Sequence, residues 1–294
     1  MKSFWYRIVS FLSRWLGTWL AWPLVWMVAG WYFIFKPGRR RLSQSLYRVI
    51  YPNRSDLKYL AMAWRQYRSF SNLFVERMKI VQGRKPPCKT EGRQYLEQVL
   101  SSGQGAILLM SHMGNWEVAS HLLASEGIDL MIFMGERQGE QIESIQKNDL
   151  VRNSIKIVKV AAGGGSPMDG VAALNFLRQG GLVAMSGDLQ WAGERKVDST
   201  LFKHRVQLPA APHALAMVSG MPLLVFFAFR LKGGSYIFKM FPPHFVKAKD
   251  RSMREDAIRK SAQNYASLLE RAIRQHPEQW YMFEPFLGEP VQDS

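Results

Sequence analysis

A histidine and a glutamate five positions apart, His112 and Glu117, follow directly after an apolar run at residues 105–110. The run has the length of a buried strand, and the residues after Glu117 have helical periodicity, so His112 is expected in the turn between them. In open α/β sheets, ligands bind at this carboxyl end of the strands. A helical metal-binding pair needs a spacing of three or four positions, so these two side chains can cooperate only across a turn.

The chemistry that suits such a pair is general-base catalysis. Glu117 would hold one imidazole nitrogen of His112 and fix its tautomer, and the other nitrogen would accept a proton from a hydroxyl. The nucleophile is then expected to be a substrate hydroxyl that attacks an acyl carbonyl, with backbone N–H groups at residues 114–116 stabilising the oxyanion. Ser111 or Asn115 is expected to cap the helix. A histidine at a helix end beside a solvated acid is the alternative interpretation, and the spacing leaves it open.

Three segments resemble a known family. Residues 111–117, SHMGNWE, resemble the His-x4-Asp/Glu motif of the lysophospholipid and late lipid A acyltransferases of the lauroyl/myristoyl type, and the phosphatidylinositol mannoside acyltransferases have a similar Gly-Asn-Trp context. Residues 187–230 resemble the family's Asp-Gln turn, Phe-x-Gly loop, proline-alanine helix and following strand, in that order. Residues 276–286, HPEQWYMFEPF, are similar to its Pro-Glu-Gln-Trp tail. The chain departs from the family at residues 202–205, which read FKHR, and at residues 282–284, where the family usually has His or Arg.

The resemblance implies a membrane-associated O-acyltransferase of lipid biosynthesis that moves a fatty acyl group from a thioester to a hydroxyl of a lipid or glycolipid. It favours acyl carrier protein over acyl-CoA as the donor. It also implies that Asp188 is a second acidic partner of His112, although an aspartate at this place is equally typical of a turn. Two alternatives remain: an acyl-thioester hydrolase that uses water, and a non-enzymatic, basic membrane-binding protein.

Four further residues are predicted to bind substrate. Asn115 and Gln190 lie at the same predicted edge of the sheet as His112. Arg137 and Arg205 carry guanidinium groups that suit a phosphate, either on the pantetheine arm of the donor or on the acceptor headgroup. A surface ion pair with the neighbouring acid is the alternative for Arg137. The remaining histidines are isolated from cysteines and paired acids, so neither a metal nor a cofactor is expected.

Positive charge is concentrated at the start of the chain. The net charge is +16, and residues 1–84 hold 15 Lys and Arg against two acidic residues, whereas the rest of the chain is nearly balanced. This distribution disfavours nucleic acid as a partner. The single cysteine, Cys88, excludes an internal disulfide.

An uncharged run at residues 15–35 lies within this basic segment. Its 21 residues would extend about 30 Å as a helix, which predicts a membrane span. Interfacial or re-entrant insertion and a buried soluble helix are the alternatives. By the positive-inside rule, the basic cluster at residues 36–41 predicts a catalytic domain on the cytoplasmic side, and the resemblance implies that the membrane is a bacterial inner membrane.

Alternating strand and helix patterns predict an α/β fold with a mixed, largely parallel sheet covered by helices. The resemblance makes this fold glycerolipid-acyltransferase-like, with an N-terminal membrane-anchoring helix. The predicted strands are 105–110, 129–134, 155–160, 181–186, 222–230 and 236–241, and the predicted helices are 57–81, 118–125, 141–151, 169–177, 209–218 and 252–275. The predicted domains are an anchor with its basic flank at 1–41, a helical lead-in at 42–90 and the catalytic domain at 91–294.

Overall fold

The computed structural model describes residues 21–135, 155–160, 166–189 and 193–291. Its helices are α1 (Ala21–Phe35), α2 (Pro37–Ile50), α3 (Asp56–Val81), α4 (Arg93–Ser101), α5 (Trp116–Ser125), α6 (Pro167–Arg178), α7 (Ala211–Ser219) and α8 (Arg254–Gln275). Its strands are β1 (Cys88–Glu91), β2 (Ala106–Met110), β3 (Leu130–Gly135), β4 (Lys156–Val160), β5 (Leu182–Ser186), β6 (Lys196–Leu201), β7 (His204–Pro209), β8 (Leu223–Arg230) and β9 (Tyr236–Met240).

Seven of the described strands form one sheet in the order β1-β9-β8-β2-β5-β3-β4. All neighbouring pairs are parallel except β8 and β9, which are antiparallel. Strands β6 and β7 form a separate antiparallel pair. The predicted mixed, largely parallel sheet covered by helices is therefore confirmed.

The central strand β2 is buried along its whole length, and its side chains alternate between two cores. Ile107 and Leu109 belong to the core on one face of the sheet, together with residues of α6, α7 and α8. Leu108 and Met110 belong to the core on the other face, together with residues of α4 and α5. A strand covered on both faces is apolar at every position, which explains the uninterrupted run AILLM. The run ends where the polar turn begins.

The helix α1 packs along α3 and leaves one apolar face exposed. Trp26 Nε1 donates a hydrogen bond to Asn72 Oδ1 at 3.0 Å, and the aromatic ring of Phe33 contacts the rings of Trp64 and Tyr67. The side chains of Met27, Val28, Trp31, Ile34 and Phe35 are exposed. Within the described part of the chain, no helix has both the length and the apolarity that crossing a membrane requires. Residues 15–20 of the predicted span lie outside that part.

Candidate active site

The turn after β2 and the turn after β5 lie side by side. The two strands are parallel neighbours in register, with Met110 opposite Ser186. His112 and Asp188 each follow the last residue of their strand by two positions. The two side chains therefore reach the same edge of the sheet, where the resemblance places them.

His112 and Asp188 form a hydrogen-bonded dyad. The imidazole Nδ1 lies 2.9 Å from Asp188 Oδ1, and the backbone N–H of His112 donates to Oδ2 at 2.8 Å. Trp280 Nε1 donates to Oδ2 at 3.0 Å, and Ser186 Oγ donates to Oδ1 at 3.2 Å. The carboxylate is thus enclosed by donors.

Asp188 is ionised in this setting. Burial alone raises the pKa of its carboxyl, but the charge of His112 and the hydrogen bonds from His112 and Trp280 outweigh burial and hold the pKa below its usual value. An ionised carboxylate can only accept, so in the neutral form of the imidazole Nδ1 carries the one ring hydrogen and Nε2 has the free lone pair. The Asp188 side chain is 0% exposed and that of His112 is 35% exposed, so a hydroxyl can approach the dyad only at the imidazole.

Glu117 contacts an arginine instead of the imidazole. Arg77 Nε lies 2.9 Å from both carboxylate oxygens of Glu117, and Arg77 Nη2 lies 2.6 Å from Oε2. The expected contact between Glu117 and His112 is therefore corrected, because Nδ1 of the histidine is taken by Asp188. The physical reason is that Glu117 is buried, and a buried carboxylate is stabilised best by the guanidinium fork beside it.

Asn115 caps the helix α5 and is turned inward. Its Oδ1 accepts from the Val118 N–H at 3.4 Å and its Nδ2 donates to Tyr236 Oη at 3.2 Å, so of the two predicted candidates Asn115 is the cap. Ser111 Oγ accepts from the Met113 N–H at 3.2 Å. The expectation that Asn115 binds substrate is corrected, because its amide is buried and bonded within the protein.

Backbone groups of the turn are also bonded internally. The N–H of Gly114 donates to Gln279 O and the N–H of Asn115 donates to Ala228 O, each at 2.8 Å. These two amides are not oriented as oxyanion donors, contrary to expectation. Gly114 has a φ of 67°, and a Cβ there would lie 1.8 Å from Ala228 O, so only glycine fits this close approach.

The C-terminal tail holds the site from the side opposite α5. Tyr281 N–H donates to His112 O at 2.8 Å, and the side chain of Gln279 bonds both backbone groups of Arg230 at 2.8 Å. Trp280 is fully buried. The resemblance marked this tail, but the hydrogen bond from Trp280 to Asp188 was not predicted, because its partners are far apart in the sequence.

A cleft of about 1110 Å³ lies beside the dyad: Asp188 and Leu189 are among its lining residues, whereas His112 is not. Its walls come from the β6–β7 hairpin, α8 and the segment after Trp280. Apolar lining is provided by Leu189, Val206, Met282, Phe286 and Leu287, cationic lining by Lys196, Arg205, Arg259 and Lys260, and acidic lining by Asp198 and Glu284. Arg205 is thus placed in this cleft, whereas Arg137 and Gln190 lie outside the described residues.

Two other histidines, His213 and His204, have structural partners. His213 is buried with Nδ1 2.9 Å from Ser261 Oγ, and burial lowers the pKa of its imidazole to about 3. His204 Nδ1 lies 2.8 Å from Phe202 O. Across the residues for which the structure gives positions, no group of three or more His, Cys, Asp or Glu side chains is arranged to hold a metal ion.

The fold and the dyad define a class: an α/β protein with a hydrogen-bonded histidine and aspartate at the carboxyl edge of a largely parallel sheet. The chain belongs to the bacterial lipid A biosynthesis acyltransferase family, whose model matches residues 2–287. The resemblance found in the three segments is therefore confirmed. The chain is also similar to a phosphatidylinositol mannoside acyltransferase of Mycobacterium tuberculosis, with 24% identity over 197 residues. That match covers 66% of this chain and 58% of the relative.

Proposed function

We propose that this protein is an O-acyltransferase that moves a fatty acyl group from a thioester to a hydroxyl of a lipid or glycolipid. The observation that carries the proposal is the dyad, in which a buried, ionised Asp188 holds Nδ1 of His112 and leaves Nε2 as a base. Membership of the lipid A acyltransferase family supports the class of reaction. The mannoside acyltransferase relative supports a glycolipid as one kind of acceptor.

The proposed reaction needs no nucleophile from the protein. His112 Nε2 takes the proton of the acceptor hydroxyl while the hydroxyl oxygen forms a bond to the thioester carbonyl carbon. The tetrahedral intermediate then expels the thiol through cleavage of the C–S bond, and the imidazolium returns its proton to the leaving sulfur. Asp188 stabilises the imidazolium that exists between these two steps without itself taking the proton.

The cleft at Asp188 suits the acyl donor. Its apolar lining can cover an acyl chain, and Lys196 and Arg205 suit the phosphate of a pantetheine arm. Arg259 and Lys260 in the same lining are paired with Asp256. Both acyl carrier protein and acyl-CoA carry this arm. We propose acyl carrier protein as the donor on the strength of the family resemblance, and Arg205 as one phosphate ligand.

The protein is proposed to act at the inner membrane with its catalytic domain in the cytoplasm. The exposed apolar face of α1 is followed at once by the basic residues Lys36, Arg39, Arg40 and Arg41. A helix that buries an apolar face beside basic residues binds the headgroup region of anionic membranes, and each basic residue contributes about 1 kcal/mol. Such binding would place the site where a lipid acceptor is concentrated.

The test is a paired assay on the full-length protein. Acyl carrier protein and CoA, each loaded with the same radiolabelled acyl chain, are supplied with vesicles made from lipid extracts of a bacterium that lacks the gene. Release of free thiol and transfer of label into lipid are measured together. The proposal expects the two to be equal, with a new lipid heavier by one acyl group. Thiol release without labelled lipid would instead identify a hydrolase.

A further inference from the structure

Two consecutive residues near the end of α3 form ion pairs with the edge of the sheet that carries the dyad. Arg77 binds Glu117 through three short contacts, and Glu76 accepts a hydrogen bond from the guanidinium of Arg230. The side chains of Glu76, Arg77 and Glu117 are each less than 10% exposed. None of these groups has a part in the proposed proton transfer.

The two ion pairs lie on either side of the turn that carries His112. Glu117 is the second residue of α5, on the helix side of the turn. Arg230 ends β8, two positions after Ala228, whose carbonyl accepts the N–H of Asn115. The helix α3 therefore contacts both α5 and β8, the two elements that flank the turn.

Stability alone does not account for a buried ion pair at this place. Removing two charges from water costs about as much as their attraction returns, and an apolar pair of similar volume often serves as well. A guanidinium–carboxylate pair also fixes the relative orientation of its two side chains, because the two planar groups meet in one orientation. Arg77 therefore fixes where α5 begins, and with it the turn that holds His112.

We infer that Arg77 is a positioning residue for His112 and acts through Glu117. With the start of α5 fixed, the imidazole keeps its hydrogen bond to Asp188 while the proton moves. This role rests on the proposed function. It also makes α3, which precedes the predicted catalytic domain in the sequence, a support of the active site.

The test compares Arg77→Lys, Arg77→Met, Glu117→Gln and the double variant Arg77→Met/Glu117→Gln, with Arg93→Met as the matched control. Arg93 also forms two carboxylate pairs, with Glu97 and Glu126, but on the surface of α4. Arg77→Lys keeps the charge and loses the fork, so kcat should fall about tenfold while KM and the melting temperature stay close to wild type. The control should match wild type in all three.

The double variant shows whether Arg77 acts through Glu117. Removing both charges avoids an unpaired buried charge, so the double variant should fold even if Arg77→Met does not. Its kcat should be no lower than that of Glu117→Gln alone, because the two residues act as one unit. The proposal would be overturned if folded Arg77→Lys and the double variant both had the wild-type kcat. It would also be overturned if the fold-losses in kcat of the two single variants multiplied in the double variant.

A second readout does not require turnover. Proton–nitrogen NMR spectra of the imidazoles report the tautomer and hydrogen bonding of His112, with the signals assigned by a His112→Ala variant. The signals should move in Arg77→Lys and in the double variant and stay unchanged in Arg93→Met. Unmoved signals would contradict positioning by Arg77. If the wild-type protein transfers no acyl group while the signals do move, the proposed reaction fails and the positioning role stands.

Discussion

The indole of Trp280 donates a hydrogen bond to the carboxylate of Asp188, and the two residues are 92 positions apart in the sequence. Both side chains are buried, and the same carboxylate oxygen also accepts the backbone N–H of His112. The tail of the chain thus completes the pocket that keeps Asp188 ionised. A protein that lacked this tail would leave one side of the dyad open.

The first prediction concerns this indole. Trp280→Phe keeps an aromatic ring in the core and removes the donor to a buried charge, which is expected to cost about 1.5–3 kcal/mol in the free energy of unfolding. Activity should fall more than tenfold because the carboxylate can then turn away from Nδ1. Urea unfolding and kinetics on the folded variant measure the two effects. Full activity in a destabilised Trp280→Phe would show that the indole serves packing alone.

The second prediction concerns Asp188 and pH. The folded-state pKa of this carboxyl is lowered, so its ionisation stabilises the protein above the usual pKa near 4, and the stabilisation is lost as the pH falls through the lowered value. Asp188→Asn should therefore unfold at a lower temperature than wild type at pH 7, and the difference should narrow below pH 4. Its activity should fall about 100-fold or more at every pH. A difference in melting temperature that does not change with pH would contradict an ionised Asp188.

The sequence predicts the strand, turn and helix around His112 well, because apolar runs and capping residues are local signals. The spacing predicts Glu117 as the partner of His112, and the family resemblance adds Asp188 as a second partner. The choice follows from the placement of β5 beside β2, which brings Asp188 to His112, and from an arginine on α3 that takes Glu117 away. Local sequence periodicity does not encode the order of strands in a sheet. It also does not encode a contact across 40 positions, such as that from Arg77 to Glu117.

The strands that sequence patterns do not reveal are short or polar. All four residues of β1 are exposed, so the strand lacks the apolar alternation that marks a half-buried strand. The hairpin of β6 and β7 buries only part of each strand and contains Phe202 and Lys203 at positive φ, which a non-glycine residue seldom adopts. The resemblance assigned this segment to a loop. The predicted helix at residues 141–151 lies outside the described part of the chain.

The third prediction concerns Gly114. A methyl group there would meet the carbonyl oxygen of Ala228, and the positive φ adds strain. Gly114→Ala should therefore push the turn off β8 and reduce both stability and rate. Gly127→Ala is the control, because Gly127 has a positive φ of 77° but open space around it. If the two variants lose activity to the same extent, the close approach at Gly114 does not matter for the site.

The fourth prediction concerns the exposed face of α1. Replacing Trp31 and Ile34 together by serine should weaken binding to anionic vesicles and make the remaining binding more sensitive to salt, because the basic cluster would then act alone. Val218→Ser changes another exposed apolar residue, on α7, and is the control. Vesicle flotation at low and high salt measures the binding. Unchanged flotation of the double serine variant at high salt would contradict an interfacial role for α1.

The most direct measurement is the rate of lipid acylation by His112→Ala, compared with wild type and with His204→Ala. His204 is a partly exposed histidine whose ring bonds a backbone carbonyl in the β6–β7 hairpin, so its removal controls for the loss of an imidazole as such. Circular dichroism and melting temperature establish that the variants are folded. Acylation by His112→Ala is expected to fall about 100-fold or more, because the base is lost. Acylation by His204→Ala is expected to stay close to wild type. Acylation at the wild-type rate by folded His112→Ala would contradict general-base catalysis by the dyad.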